Sequence, residues 1–177
     1  MAKVWTSSKP ATLICNAGST GDLRKTVAEY TAEEIQAYYD MNIISYTTLI
    51  SGFLDIFSCC KTYIINISSL LAVQPFANWG LYASGKAARD MLLQVIAKEN
   101  KEGSVRTLSY APGPLDNTMQ KHVRETLGDP EQAKLYTDMA TQGKLVSMES
   151  SAKKLVDILQ KDVFVSGAHI DYFDDDI

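Results

Sequence analysis

The amino-acid sequence predicts an α/β fold organised on a mostly parallel sheet, and two observations predict it. Short β-branched apolar runs alternate along the chain with longer stretches of helical period, in the order strand, helix, strand, helix, strand, helices, strand. The central run, Thr62-Tyr-Ile-Ile-Asn-Ile67, is nearly all apolar rather than alternating, as a strand covered on both faces should be. The 177 residues are 46% hydrophobic and 21% charged, with no internal repeat, linker-like stretch or shift of composition, so one domain over residues 1–177 is expected.

The first strand is Ala11-Thr-Leu-Ile-Cys15, which stops at the turn-forming Asn16-Ala17-Gly18. Thr31-Ala-Glu-Glu34 has the form of a capping box, in which a hydroxyl and a carboxylate satisfy free backbone N–H groups. From there to about Phe57, the residues Ile35, Tyr38, Tyr39, Asn42, Ile43, Tyr46, Leu49, Ile50, Phe53 and Leu54 recur at helical spacing and predict one long helix. Thr62–Ile67 is the second strand. Gly80 to about Glu99 is a helix with Ala87, Ala88, Met91, Leu92, Val95 and Ile96 expected on its inner side. Val105-Arg-Thr-Leu-Ser-Tyr110 is a third strand, broken by Ala111-Pro-Gly-Pro114. Asp129-Pro130 opens a further helix with Pro at its first position, Glu149 to Lys161 gives another, and Ala168–Tyr172 a last short strand.

Composition excludes several classes of function. With 17 basic against 21 acidic side chains the chain is mildly acidic, which argues against phosphate-driven nucleic-acid binding. No apolar run reaches the ~18 residues of a membrane span, and residues 1–10 have no apolar core of signal-peptide length. A cytoplasmic protein with neither membrane nor nucleic-acid partner is expected. Cys15, Cys59 and Cys60 form no Cys-x-x-Cys and read as reduced thiols. His122 and His169 lie far apart with no ligand cluster, so no metal site is expected.

Open parallel sheets gather ligands at the carboxyl ends of their strands. Three such ends carry unusual residues: Asn16-Ala17-Gly18, Ser68-Ser69 and Pro112-Gly113-Pro114. Just beyond the second lies Tyr82-Ala-Ser-Gly-Lys86, whose Tyr and Lys, four apart, share one helix face. An ammonium there favours tyrosinate and is expected to move the phenol down from about 10 towards neutrality. A tuned phenol can protonate a carbonyl oxygen as hydride arrives at its carbon. Either pair alone carries no information; their order on successive strand ends does.

Asn16-Ala17-Gly18, Asn42, Ser69, Tyr82, Lys86 and Pro112-Gly113 together resemble, in order and spacing, the short-chain dehydrogenase/reductase family. Asn66-Ile-Ser-Ser-Leu70, Gln74-Pro-Phe76, Gly85-Lys-Ala-Ala-Arg-Asp-Met91, Tyr110-Ala-Pro-Gly-Pro-Leu-Asp116 and Ser166-Gly-Ala-His169 resemble its pterin-reducing branch, and the similarity runs from residue 16 to 172. The resemblance implies an NADP(H)-dependent oxidoreductase that reduces a pterin side-chain carbonyl in tetrahydrobiopterin biosynthesis. It implies Tyr82 as proton donor, with Lys86 depressing its pKa and holding the nicotinamide ribose. Ser69 would orient the carbonyl, and Asn42 would hold a water that relays protons to Lys86. Leu70 and Gly113 would line the substrate pocket with Ser69 and Tyr82, and Asp171 would anchor the pterin ring. Asn16, Ala17 and Gly18 would face the cofactor, and Leu115, Asp116, Asn117, Thr118, Met119 and Gln120 would pass over it. A homodimer through the helices near 31–57 and 80–99 is implied as well.

Family members open with a strand, a Thr-Gly-x-x-x-Gly-x-Gly turn and a helix that cradle the cofactor phosphates. The glycines here, at 18, 21, 52, 80, 85, 103, 113, 128, 143 and 167, form no such pattern, and Cys15 stands at the first position of the family's Asn-Asn-Ala-Gly motif. The fold implied is therefore an N-terminally truncated, Rossmann-like, doubly wound parallel sheet, the C-terminal two-thirds of a family member. Its first strand becomes an exposed edge, either because the opening segment is lost or because Met1 to Lys9 replaces it. Two other readings remain: a catalytically impaired homologue acting as a dimerisation or binding partner, and a broader carbonyl reductase.

Overall fold

The computed structural model describes residues 9–100 and 102–175, so Met1–Ser8 of the expected replacement start lies outside the described residues. Four strands, β1 (Ala11–Cys15), β2 (Thr62–Ile67), β3 (Val105–Ala111) and β4 (Ala168–Asp171), form a wholly parallel sheet in that order. Between β1 and β2 run α1 (Ala32–Tyr39), a π-helical turn (Asp40–Ile44) and α2 (Ser45–Ile56); α3 (Gly80–Glu99) joins β2 to β3. The β3–β4 connection holds α4 (Thr118–Thr126), α5 (Pro130–Thr141) and α6 (Met148–Lys161). No described helix is long and apolar enough to cross a membrane.

Successive strand residues face opposite sides of a sheet, so β2 supplies two cores. Ile64 packs with Cys15, Tyr46, Ile50, Leu93 and Ile96 beneath α2 and α3. Ile65 packs with Leu108, Tyr110, Leu155, Ile158 and Ile170 beneath α6. Helices therefore cover both faces, as the doubly wound reading requires. A third cluster, Leu23, Leu71, Trp79, Val123 and Leu127, ties together the segments that leave the carboxyl ends of β1, β2 and β3. Among the described residues β1 pairs with β2 alone, and Ile14, on the side away from α2, is 52% exposed: the expected bare edge is present.

The long helix expected over 31–57 is interrupted. Tyr38, Asn42, Tyr46 and Ile50 are all buried and stand four residues apart. In a straight α-helix of 3.6 residues per turn, such a series drifts around the axis. The wider π-helical turn at Asp40–Ile44 takes up that drift and keeps all four on the inner side.

One further expectation is corrected in part. The buried residues of α3 are Leu81, Gly85, Lys86, Arg89, Asp90, Leu93 and Ile96, whereas Ala88, Met91 and Val95 are exposed. Ile96 lies inward as expected and Leu92 packs partly against the core, but the inner side also carries three charges, and Ala88, Met91 and Val95 fall outside it. The segment Leu115–Gln120 runs from an isolated bridge into the first turn of α4. Leu115 bridges Val146, and Asn117 caps α4 by accepting a hydrogen bond from the Gln120 N–H at 2.9 Å.

Candidate active site

Helix α3 brings Lys86, Arg89 and Asp90 to the sheet at 8%, 3% and 4% exposure. Charges withdrawn from water must find partners, and each does. Lys86 Nζ donates to the Ile67 carbonyl at 2.6 Å, at the end of β2. Arg89 donates from Nε to the Asn42 carbonyl at 2.6 Å and from a terminal nitrogen to the Ala17 carbonyl at 3.0 Å, just past β1. Its guanidinium also lies 4.6 Å from the Tyr46 ring centroid. Asp90 accepts from Asn66 Nδ2 at 2.9 Å and meets His169 Nδ1 at 2.6 Å. The helix is thereby pinned to the loop after β1 and to β2 and β4.

Tyr82 and Lys86 occupy adjacent turns of α3, with Lys86 Nζ 5.5 Å from the Tyr82 ring centroid. Trp79 covers the Tyr82 ring at 5.3 Å between centroids, Tyr136 meets Trp79 edge-on at 6.5 Å, and Trp79 Nε1 donates to Gln132 Oε1 at 3.2 Å. Helix α5 is thus fastened over the tyrosine. Burial pushes the Tyr82 phenol up, opposed by a hydrogen bond with the Ser69 hydroxyl. Burial, assisted by the Arg89 charge and opposed by Asp90, draws Lys86 down to about 8. The expected depression of the phenol by the ammonium is therefore reversed in this arrangement, because desolvation acts on both groups and the ammonium is turned to the Ile67 carbonyl.

Ser69 caps a short 3-10 turn, its Oγ accepting from the Leu71 N–H at 3.2 Å, and Leu70 beside it is exposed. Ser68 Oγ is buried with no hydrogen-bond partner among the described residues. Asn42 is occupied at both ends of its side chain: Oδ1 accepts from the Ser19 N–H at 3.0 Å, and Nδ2 donates to the Tyr38 carbonyl at 2.9 Å. These contacts, with Arg89 on its main-chain carbonyl, give Asn42 the role of holding the post-β1 loop.

Gly113 and Asp171 form a second group at the ends of β3 and β4. Gly113 has φ +75°, and a Cβ there would lie 3.0 Å from Val146 Cγ2 and within 3.6 Å of Phe173 and Tyr172, so a side chain is excluded twice over. Asp171, paired with Ala111 in the ladder, accepts from the Phe173 N–H at 3.0 Å. The structure thus brings Ser69, Tyr82 and Lys86 into one cluster and Gly113 and Asp171 into a neighbouring one. Of the residues expected to face a cofactor, Asn16 and Ala17 are exposed, a Cβ at Gly18 would lie 3.4 Å from Asn42 Oδ1, and Thr118 and Met119 are exposed in the first turn of α4. Gln120 is buried and accepts from Arg124.

Arg89, Asp90, Asn66 and His169 were not singled out from the sequence. The signal that finds Arg89 and Asp90 is their place three and four residues after Lys86, on its own side of the helix.

A family model described as short chain dehydrogenase matches residues 8–128. The chain is 50% identical over 167 residues to a sepiapterin reductase of Meriones unguiculatus, covering 92% of this chain and 63% of that protein. It is 31% identical over 160 residues to a benzil reductase ((S)-benzoin forming) of Bacillus cereus, covering 88% of this chain and 64% of that protein. A short chain dehydrogenase/reductase crystal structure from Saccharomyces cerevisiae superposes with a TM-score of 0.84 at 25% identity, over 93% of this chain and 66% of that one. The chain therefore spans a little under two thirds of the curated relatives it matches.

Replacing Arg89 by Met leaves the carbonyls of Asn42 and Ala17 without their charged donor. A buried group left unpaired costs roughly 1–3 kcal/mol, so R89M should lower unfolding free energy by about 2–4 kcal/mol in urea titrations. R89K should recover less than half of that, because an ammonium cannot present a planar fork in two directions. An R89M midpoint equal to that of the wild type contradicts the assignment.

Proposed function

The chain belongs to the short-chain dehydrogenase family, and on that premise we propose that it carries the active-site half of an NADP(H)-dependent reductase acting on a pterin side-chain carbonyl. The observation that supports this most is the cluster of Ser69, Tyr82 and Lys86 at the end of β2, where Tyr82 meets the Ser69 hydroxyl and its ring lies under the Lys86 ammonium. The relative at 50% identity, named a sepiapterin reductase, supports the pterin as substrate; reduction of this kind serves tetrahydrobiopterin biosynthesis.

The roles follow from chemistry. Burial keeps the Tyr82 phenol protonated at neutral pH, which is the state a proton donor needs. Ser69 Oγ stands beside it to hold the same carbonyl oxygen. Lys86, near 8, exchanges protons close to neutral pH and keeps the Tyr82 face positively charged. Asp171, on the neighbouring strand end beside Gly113, offers a carboxylate to the N–H donors of a pterin, with Leu70 on the opposite rim. A nicotinamide cofactor, when bound, supplies the hydride. The residues present fit its nicotinamide half: Lys86 has one N–H engaged at Ile67 and others left for ribose hydroxyls, and Asn16 and Ala17 stand exposed at the end of β1. Leu115–Gln120, with the first turn of α4, would close over it.

The outer side of α3, with Ala88, Met91 and Val95, and the neighbouring Met41, Ile44 and Leu49 form an exposed apolar surface on the two helices proposed to build a homodimer. That surface supports the reading in which this chain pairs with a second subunit. The benzil reductase relative supports the reading of a broader carbonyl reductase; comparing turnover of sepiapterin with that of a simple diketone separates the two substrate classes.

Two measurements test the proposal. In this protein joined to the glycine-rich segment of its relatives, Tyr82→Phe should lower kcat by ~10²–10⁴-fold, the usual contribution of general acid catalysis. A variant retaining more than about half the activity overturns the role of Tyr82. The 177-residue chain itself should bind NADPH weakly, since its sequence has no glycine-rich turn. Losing only three hydrogen bonds to charged phosphates costs roughly 4.5–9 kcal/mol, which takes micromolar binding past millimolar. Calorimetric titration giving a low-micromolar Kd would contradict this.

A further inference from the structure

One row of side chains crosses the whole sheet in register: Cys15 on β1, Asn66 on β2, Ser109 on β3 and His169 on β4. Above it, Asp90 of α3 accepts from Asn66 with one carboxylate oxygen and meets His169 with the other, at 2.9 and 2.6 Å. Their side chains are 6% and 17% exposed. Asp90 stands four residues after Lys86 and eight after Tyr82, on the same side of the helix. His169 stands two residues before Asp171. The pair therefore connects the proton-donating cluster to the neighbouring strand end.

Resting on the reading of Tyr82 and Lys86 as the proton-donating face, we infer that Asp90 and His169 are positioning residues: they lock helix α3 against β4, fix Tyr82 and Lys86 relative to Asp171, and set the charge that Lys86 faces. Packing does not require such a pair. An apolar replacement of a buried ion pair is often neutral or stabilising, so a carboxylate kept out of water beside a lysine needs another reason. Electrostatics supplies one. Lys86 faces the Arg89 guanidinium, which disfavours its ammonium, and the Asp90 carboxylate, which favours it. Asp90 in turn lies near the Tyr46 phenol of α2 and the His169 ring. His169 is held above its ordinary 6.5 first by its hydrogen bond to Asp90, against burial, with help from the charges of Asp171 and Asp174.

The sign of the linkage follows. A histidine raised above 6.5 contributes stability that is complete below that pH and is lost as pH rises through its higher folded midpoint. As His169 gives up its proton, the full charge of Asp90 is turned on Lys86, which then holds its own proton more firmly. The acid cluster and the anchoring strand end are electrically joined through one carboxylate.

The test uses the 177-residue chain with no substrate or cofactor, by NMR titration of lysine 13Cε and histidine ring signals in the wild type, Asp90→Asn and His169→Gln. D90N keeps the side-chain shape and removes the charge, so the Lys86 midpoint should fall by about one pH unit and the His169 midpoint should fall with it. H169Q keeps a neutral donor beside Asp90, so Lys86 should titrate at or above its wild-type midpoint. A folded D90N in which Lys86 is unmoved, or a fall of the Lys86 midpoint in H169Q, overturns the inference; if D90N does not fold, H169Q decides alone. Failure of the reductase reading would appear instead in the Tyr82→Phe assay, which these titrations do not touch.

Discussion

Arg89 holds a charge that is almost fully withdrawn from water beneath helix α3, and the geometry at the strand ends follows from how that charge is satisfied. A guanidinium cannot give up its proton in a protein, so the fold must bring acceptors to it. It brings the Ala17 carbonyl just beyond β1 and the Asn42 carbonyl from the π-helical turn, and it lays the Tyr46 ring against the cation. Asn42, fixed in this way, holds the Ser19 N–H and with it the loop that follows β1. A single buried cation thus sets three segments far apart in sequence at one point.

Lys86 and Asp90 on the same side of α3 complete the fastening, and the result is a helix whose inner side is polar where packing alone would make it apolar. Desolvation then acts on every ionisable group nearby. It raises the Tyr82 phenol and lowers the Lys86 ammonium, which leaves one group reliably protonated and the other close to its exchange point at neutral pH. For a general acid this is the useful order, and it comes from burial rather than from a direct pull of the ammonium on the phenol.

Strand positions were legible in the sequence because parallel strands read as short apolar runs, and Thr62–Ile67 and Ala11–Cys15 stand where those runs stand. Ser69, Tyr82 and Lys86 were legible as a motif in order. What the sequence did not disclose has separate physical origins. Met91 and Val95 were assigned inward by their apolarity, yet hydrogen bonds to main-chain carbonyls took Arg89 inward, and contacts with Asn66 and His169 took Asp90. The π-helical turn at Asp40–Ile44 leaves no composition mark, and only the four-residue spacing of Tyr38, Asn42, Tyr46 and Ile50 hints at it. The first turn of α4 was hidden by the Pro-Gly-Pro break before it, although Asn117 and Gln120 have the spacing of a cap.

These contacts also explain how the cluster of Ser69, Tyr82 and Lys86 keeps its local order in a chain matching under two thirds of its relatives' length. Lys86, Arg89 and Asp90 find their partners within residues 17–169, so the cluster is self-supporting even with β1 at the sheet edge. Hydrogen–deuterium exchange comparing the wild type with R89M tests that dependence most directly. In R89M the Ser19 N–H and the amides through Asp40–Ile44 should exchange faster, with the Gly167 N–H, bonded to the Thr107 carbonyl at 2.8 Å, protected as before. Unchanged protection at Ser19, or an equal loss of protection at Ser19 and Gly167, would contradict it.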